Sequence, residues 1–122
     1  MERSDFERLV AEAYDEMPDD IRAQLDNVEI TVEDWPDPAT MRQAGVGRVD
    51  QLLGFYHGIP RTQRTHHYTL ALPDKITIYQ APIEARCRTT GELKSIVRRV
   101  LYHEFAHHFG ISDERLREIG AY

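Results

Sequence analysis

His103-Glu104-Phe105-Ala106-His107-His108-Phe109-Gly110-Ile111-Ser112-Asp113 closes the longest helical pattern in the chain. Thr89 and Glu92 stand at capping-box spacing just ahead of Leu93, Ile96, Val97, Val100 and Leu101. The spacing predicts a helix from there to about Phe109, with Gly110 as its left-handed stop. On that helix His103 and His107 are four residues apart, so their imidazoles leave one face about one turn from each other. Two ring nitrogens so placed can reach one tetrahedral zinc at about 2.0–2.1 Å each. Glu104 is turned about 100° from His103 and misses the metal, but it can face a water beside it. Two ligands and one general base make the division of labour of an H-E-x-x-H hydrolase. A catalytic zinc needs a third protein ligand. Gly110 lets the chain turn sharply, and Asp113 can then swing back as an oxygen ligand.

Counting along the helix sharpens these placements. Ile96, Val100, His103 and His107 fall on one narrow stripe. Leu93, Val97 and Leu101 widen the apolar arc on one side, and Arg98, Arg99 and Tyr102 lie on the other. The histidines are therefore expected at the edge of the buried arc and Glu104 inside it. Partial desolvation there would raise the Glu104 pKa, which suits a base that later returns its proton.

Outward from the motif, the chain reads as α+β. Ser4 and Glu7 have capping-box spacing for a first helix whose apolar face is Phe6, Leu9, Val10, Ala13 and Met17. Pro18 ends it or starts a short second helix through Leu25. Val28, Ile30 and Val32 alternate with Glu29, Thr31 and Glu33 as a half-buried strand. A short helix is expected from Pro38 to Ala44 and a strand from Gln51 to His57. Arg61 to His67 reads as a polar loop, with His66 and His67 in solvent. Tyr68 to Leu72 reads as a short strand, Pro73-Asp74 as a turn, and Lys75 to Tyr79 as a third full strand. Ser112 can cap a last helix through Ile119.

At 122 residues the chain is read as one domain, 1–122. A net charge of −6 and the scattering of its arginines in pairs argue against a nucleic-acid partner. No stretch has the length and apolarity of a signal or a membrane span, so the expected location is cytoplasmic and no membrane is involved. The single cysteine, Cys87, is read as a small buried apolar residue rather than a nucleophile.

The stretch from His103 to Asp113 resembles the small bacterial zincin-like metallopeptidases, the minimal zincins. Residues 6–34 (FERLVAEAYDEMPDDIRAQLDNVEITVED), 52–60 (LLGFYHGIP) and 72–84 (LPDKITIYQAPIE) are similar to the same family. The resemblance implies a small mixed sheet packed on two longer helices, with the motif helix near the C-terminus. It also implies one zinc ion at the C-terminal end of that helix, held by His103, His107 and Asp113, with Glu104 as base and a peptide or protein as substrate. The string H-E-x-x-H-x-x-G-x-x-D matches the elongated metzincin pattern with Asp for the third His. No methionine follows Met41, however, so the Met-turn of true metzincins is absent.

The expected activity is thus zinc-dependent peptide-bond hydrolysis. Two alternatives stand beside it: a non-catalytic zinc-binding or interaction domain, and a zinc hydrolase of another bond such as an RNA phosphodiester. The Glu after the first His and the acidic charge weigh against the last. The region from Gln51 to Tyr79 is the expected sheet edge for an added substrate strand. Tyr79 and Tyr122 could serve as second oxyanion stabilisers, although packing or surface roles are the simpler readings. His108 points about 100° from His107 and is read as packed beside the site rather than on the metal. Oligomeric state is not legible.

Overall fold

The computed structural model describes residues 1–25, 28–58, 74–110 and 112–118, and for His107, His108, Asp113 and Leu116 the backbone alone. The expected strand at Tyr68 to Leu72, the loop with His66 and His67, Ile119 and Tyr122 lie outside the described residues. In chain order the elements are α1 (Arg3–Asp15), α2 (Asp19–Ala23), β1 (Val28–Glu33), α3 (Pro38–Ala44), a single 3-10 turn (Val49–Gln51), β2 (Gly54–His57), β3 (Asp74–Tyr79), α4 (Gln80–Glu84), α5 (Thr90–Phe109) and α6 (Asp113–Glu118).

The strands form one mixed sheet in the order β1-β3-β2. β1 runs parallel to β3 in the register Ile30 to Ile76, and β2 runs antiparallel to it in the register Tyr56 to Ile76. Ile76 and Ile78 of β3 are fully buried. They meet an apolar layer made by Phe6, Val10 and Ala13 of α1 and by Leu93, Val97, Leu101 and Phe105 of α5. Each of the larger side chains, taken out of water, contributes roughly 1.5–3 kcal/mol, and the methyl of Ala13 about 0.8 or less. Charged side chains seal the outside of the helix pair: Lys94 reaches Glu12 and Glu16, and Arg98 reaches Glu16. The two long helices and the small sheet are the α+β arrangement the sequence predicts.

Four boundaries differ from the sequence reading, each because local signals lost to a tertiary contact or to a competing turn. Ser4 is not the N-cap of α1. The cap is Glu2, with no side-chain bond, and its carbonyl accepts from Phe6 N–H at 3.0 Å. Arg3 pulls the helix start upstream by donating to Gln80 Oε1 and to the Val32 carbonyl, both at 2.9 Å. The second helix stops at Ala23 rather than Leu25, although Leu25 is still buried. The strand expected from Gln51 begins at Gly54. Gln51 Oε1 instead accepts from Arg48 N–H at 3.1 Å and closes the 3-10 turn, a local side-chain bond that competes with strand pairing. Finally, α4 has no counterpart in the sequence reading. Its Pro82 looks like a breaker, yet it sits in the first turn where no N–H is needed.

Two side chains also depart from their expected places. Tyr102, expected beside Arg98 and Arg99 on the open side of α5, is buried. The guanidinium of Arg98 lies 5.3 Å from its ring centre and covers it. Cys87 is half-buried rather than buried, and burial pushes its thiol pKa up.

Candidate active site

The site is built where α5 leaves the core. Thr89 Oγ1 caps the helix by accepting from Glu92 N–H at 3.1 Å, and Glu92 in turn accepts from Arg88 N–H at 2.8 Å. From that cap the helix runs unbroken through His103 and His107 to Phe109. Gly110 follows at φ 67°, in the left-handed region that a glycine enters without strain. Ser112 Oγ accepts from Arg115 N–H at 3.1 Å and starts α6 at Asp113. The turn expected after the motif is therefore present, and Asp113 opens the helix that follows it. His103 is half-buried. Among the described side chains no three form a metal-holding group; those of His107, His108 and Asp113 lie outside that set.

Glu104 is the residue whose surroundings are best defined. It is half-buried, and desolvation pushes its carboxyl up to about 7 against the downward pull of Tyr56 N–H, which donates to it. That donor belongs to the outer side of β2. Leu53 accepts from Tyr79 N–H at 3.0 Å, and Phe55 and His57 pair opposite Thr77 and Lys75. Antiparallel pairing alternates inward and outward groups, so Gly54 and Tyr56 direct their N–H and C=O away from β3. Among the described residues this outer side of β2 carries no third strand. Within the described part of the Gln51 to Tyr79 region, where a substrate edge is expected, β3 is the central strand and β2 the edge strand.

A close approach brings β2 to Glu104. A Cβ at Gly54 would stand 2.6 Å from Val100 Cγ1, closer than side chains pack, so only glycine lets the strand lie this near the helix. Tyr56 then locks the strand from below. Its hydroxyl donates to Asp74 Oδ2 at 2.6 Å in the interior, and its ring meets Phe109 edge-on with centres 6.0 Å apart. Neither Gly54 nor Tyr56 was singled out from the sequence; a glycine inside a strand pattern is the one signal that pointed there.

Beside Glu104 lies a hollow of about 320 Å³, walled by Leu52, Leu53, Gly54, Val100, His103 and Glu104. Tyr79 is not among its lining residues. It is fully buried, and burial pushes its hydroxyl up to about 12. The charge of Glu104 is among the lesser causes of that rise, so the two side chains lie within electrostatic reach of each other. No helix among the described residues is long and apolar enough to cross a membrane.

A family model described as zincin-like metallopeptidase matches residues 25–121. Among solved structures the chain is similar to a conserved hypothetical protein from T. thermophilus. The identity is 23%, the TM-score 0.55, and the match covers 89% of this chain and 94% of that one. This likeness is one of fold. No curated protein matches the chain.

Proposed function

The chain belongs to the zincin-like metallopeptidase family, and from that premise we propose that it hydrolyses peptide bonds, with zinc held by His103, His107 and Asp113 and with Glu104 as general base. The observation that carries this reading is the placement of Glu104. Its carboxyl stands one residue from His103, half-buried beside the hollow walled by Leu52, Leu53 and Val100, where it accepts from Tyr56 N–H, a setting suited to a group that takes a proton and gives it back.

The donor set fits the metal. Two imidazoles and one carboxylate are a recurrent catalytic zinc set, and three protein ligands leave one position open. His103 and His107 are four residues apart on α5, and Gly110 turns the chain between that helix and Asp113, which would complete the set. Zinc bound there would supply Lewis acidity, polarising a substrate carbonyl and easing the ionisation of water.

The chain's own residues do the rest. Glu104 accepts the proton of the attacking water as the new C–O bond forms, and delivers it to the amine nitrogen as the C–N bond breaks. The half-buried setting strengthens each of these charge interactions over their value in water. Gly54 directs its backbone N–H and C=O away from β3, and an extended peptide can pair there as an added antiparallel strand, its scissile carbonyl brought toward Glu104.

The test compares wild type with Glu104→Gln, each purified, loaded with zinc and assayed for metal content and for cleavage of a diverse peptide mixture. Near-stoichiometric zinc in both, with cleavage reduced about 10²–10⁴-fold in the variant, supports the reading. Absence of zinc from both, or equal cleavage by both, overturns it.

A further inference from the structure

The hollow beside Glu104 has a chemistry of its own. Its volume of about 320 Å³ lies at the lower end of ligand pockets, which run from about 300 to 1,000 Å³, and suits one large side chain rather than a cofactor. Leu52 is buried, and Leu53 and Val100 are half-buried around it. Two rows of α5 form one wall, because Arg99 precedes His103 by four residues and Val100 precedes Glu104 by four. Whatever fills the hollow therefore sits directly next to the reacting groups.

Its mouth is marked by two exposed polar residues, Arg99 and Gln51. Arg99 makes no ion pair or hydrogen bond among the described residues, whereas its neighbour Arg98 pairs with Glu16 and covers the Tyr102 ring. Gln51 Oε1 already accepts from Gly47 N–H at 3.3 Å and Arg48 N–H at 3.1 Å, which leaves its NH2 group to donate. The turn that carries it is held to the chain around α4 by Arg86, which donates to the Asp50 carbonyl at 2.9 Å. An apolar cup with a guanidinium and an amide NH2 at its lip matches an apolar group followed by an anion. A guanidinium binds a carboxylate in a two-pronged fashion that a neutral acceptor cannot reproduce.

We propose that this hollow selects the substrate: it takes a bulky apolar side chain flanking the scissile bond, while Arg99 with Gln51 takes a carboxylate one or two residues beyond. The carboxylate is either an Asp or Glu side chain or the free C-terminus of the substrate. This inference rests on the peptidase reading of the site.

The test uses the full chain in two assays. In the first, the zinc-loaded protein cuts a peptide library with every residue varied around the bond, in internal-acid, free-carboxylate and amidated-neutral arms. Leu, Phe or Met is expected on one side of the cut, and the preferred acidic arm names the source of the carboxylate. Arg99→Glu is expected to lower kcat/KM about tenfold on that arm, far more than on neutral peptides, and to favour Lys- or Arg-bearing ones. Val100→Ala is expected to widen the hollow and shift the flanking preference toward Trp and other larger side chains, with circular dichroism checking that it folds. The second assay measures anisotropy of a labelled Ala-Phe-Glu peptide on the zinc-free chain, where binding is expected to weaken about tenfold in Arg99→Glu. Binding that follows Arg99 without any cleavage upholds the hollow and sinks the peptidase reading. Cleavage with no flanking preference and a profile unmoved by both variants sinks the hollow and leaves the peptidase reading standing. No detectable peptide binding together with no cleavage overturns the proposal.

Discussion

The two ends of α5 obey the same helical period and do opposite work. Its first three turns put Leu93, Val97 and Leu101 against α1 and the sheet, all buried, with Lys94 and Arg98 paired outside. Its last turns carry His103 and Glu104 into a half-buried zone where the neighbour is the outer side of β2 rather than another helix. The first end gains from burial without cost, because its side chains have no charge to lose. The second end accepts a carboxyl that burial disfavours. That difference separates stability from chemistry along a single element, and substitutions can break it at either end.

The largest effect on stability is expected at the buried end. Leu101 is fully buried where α1, α5 and the sheet meet. Leu101→Ala removes apolar contact and leaves a cavity, which costs about 2–5 kcal/mol. Chemical denaturation should show that loss, while cleavage per folded molecule and zinc content stay at wild-type levels. A comparable loss of activity in the folded fraction would mean that the two ends are not separable.

Next is the pH dependence set by Glu104. Its folded pKa of about 7 is raised above the ordinary value of 4.5, so the protonated form is favoured by folding. Below the ordinary value both states hold the proton and nothing is lost. As pH rises from there to about 7 the unfolded chain ionises first, and stability falls by an amount on the order of 2 kcal/mol for a half-buried group. In zinc-free protein, Glu104→Gln should therefore be more stable than wild type at pH 8 and equal to it at pH 4. Denaturation midpoints across that range measure it. Parallel curves for the two proteins would show that burial at this end carries no penalty.

How much of this was legible follows the same division. The buried end was readable because it is local: Thr89, Glu92 and the apolar spacing of Leu93 to Leu101 state the cap and the face, and the cap was observed as predicted. The order of the motif was readable too, down to Gly110 and the helix start at Ser112. What makes the motif end a site was not, because it depends on strands distant in sequence. That β3 is central and β2 lies beside α5 is a matter of pairing order, which alternation in one strand does not encode. Tyr102 was misplaced for a related reason. A wheel assigns one buried arc, but α5 is covered on more than one side, and the guanidinium of Arg98 closes over the ring.

Gly54 tests the contact that joins the two elements. A methyl group there would meet Val100 Cγ1 at 2.6 Å and the Thr77 carbonyl at 3.3 Å. Gly54→Ala should cost roughly 1–2 kcal/mol, the lower half of overpacking penalties, since β2 is an edge strand among the described residues and can move off the helix. The shift moves β2 outward and takes Tyr56 N–H from Glu104. Zinc content should hold while peptide KM rises. An unchanged KM would mean that the strand edge does not receive the substrate.

The smallest effect is expected furthest from the site. Thr89 Oγ1 satisfies one of the free N–H groups at the start of α5, and it is exposed. Thr89→Ala removes that acceptor and lets water replace it, at a cost of about 0.5–1 kcal/mol. Fraying should stay within the first turn, because Leu93 and Val97 anchor the next two against α1. Hydrogen exchange should quicken at residues 90–93 and stay slow at 97–105, with the acid limb of the pH–activity profile unmoved. If that limb moved with the cap, the motif end would be coupled to the start of the helix through its axis, and the burial of Leu93, Val97 and Leu101 between them would not be what isolates Glu104.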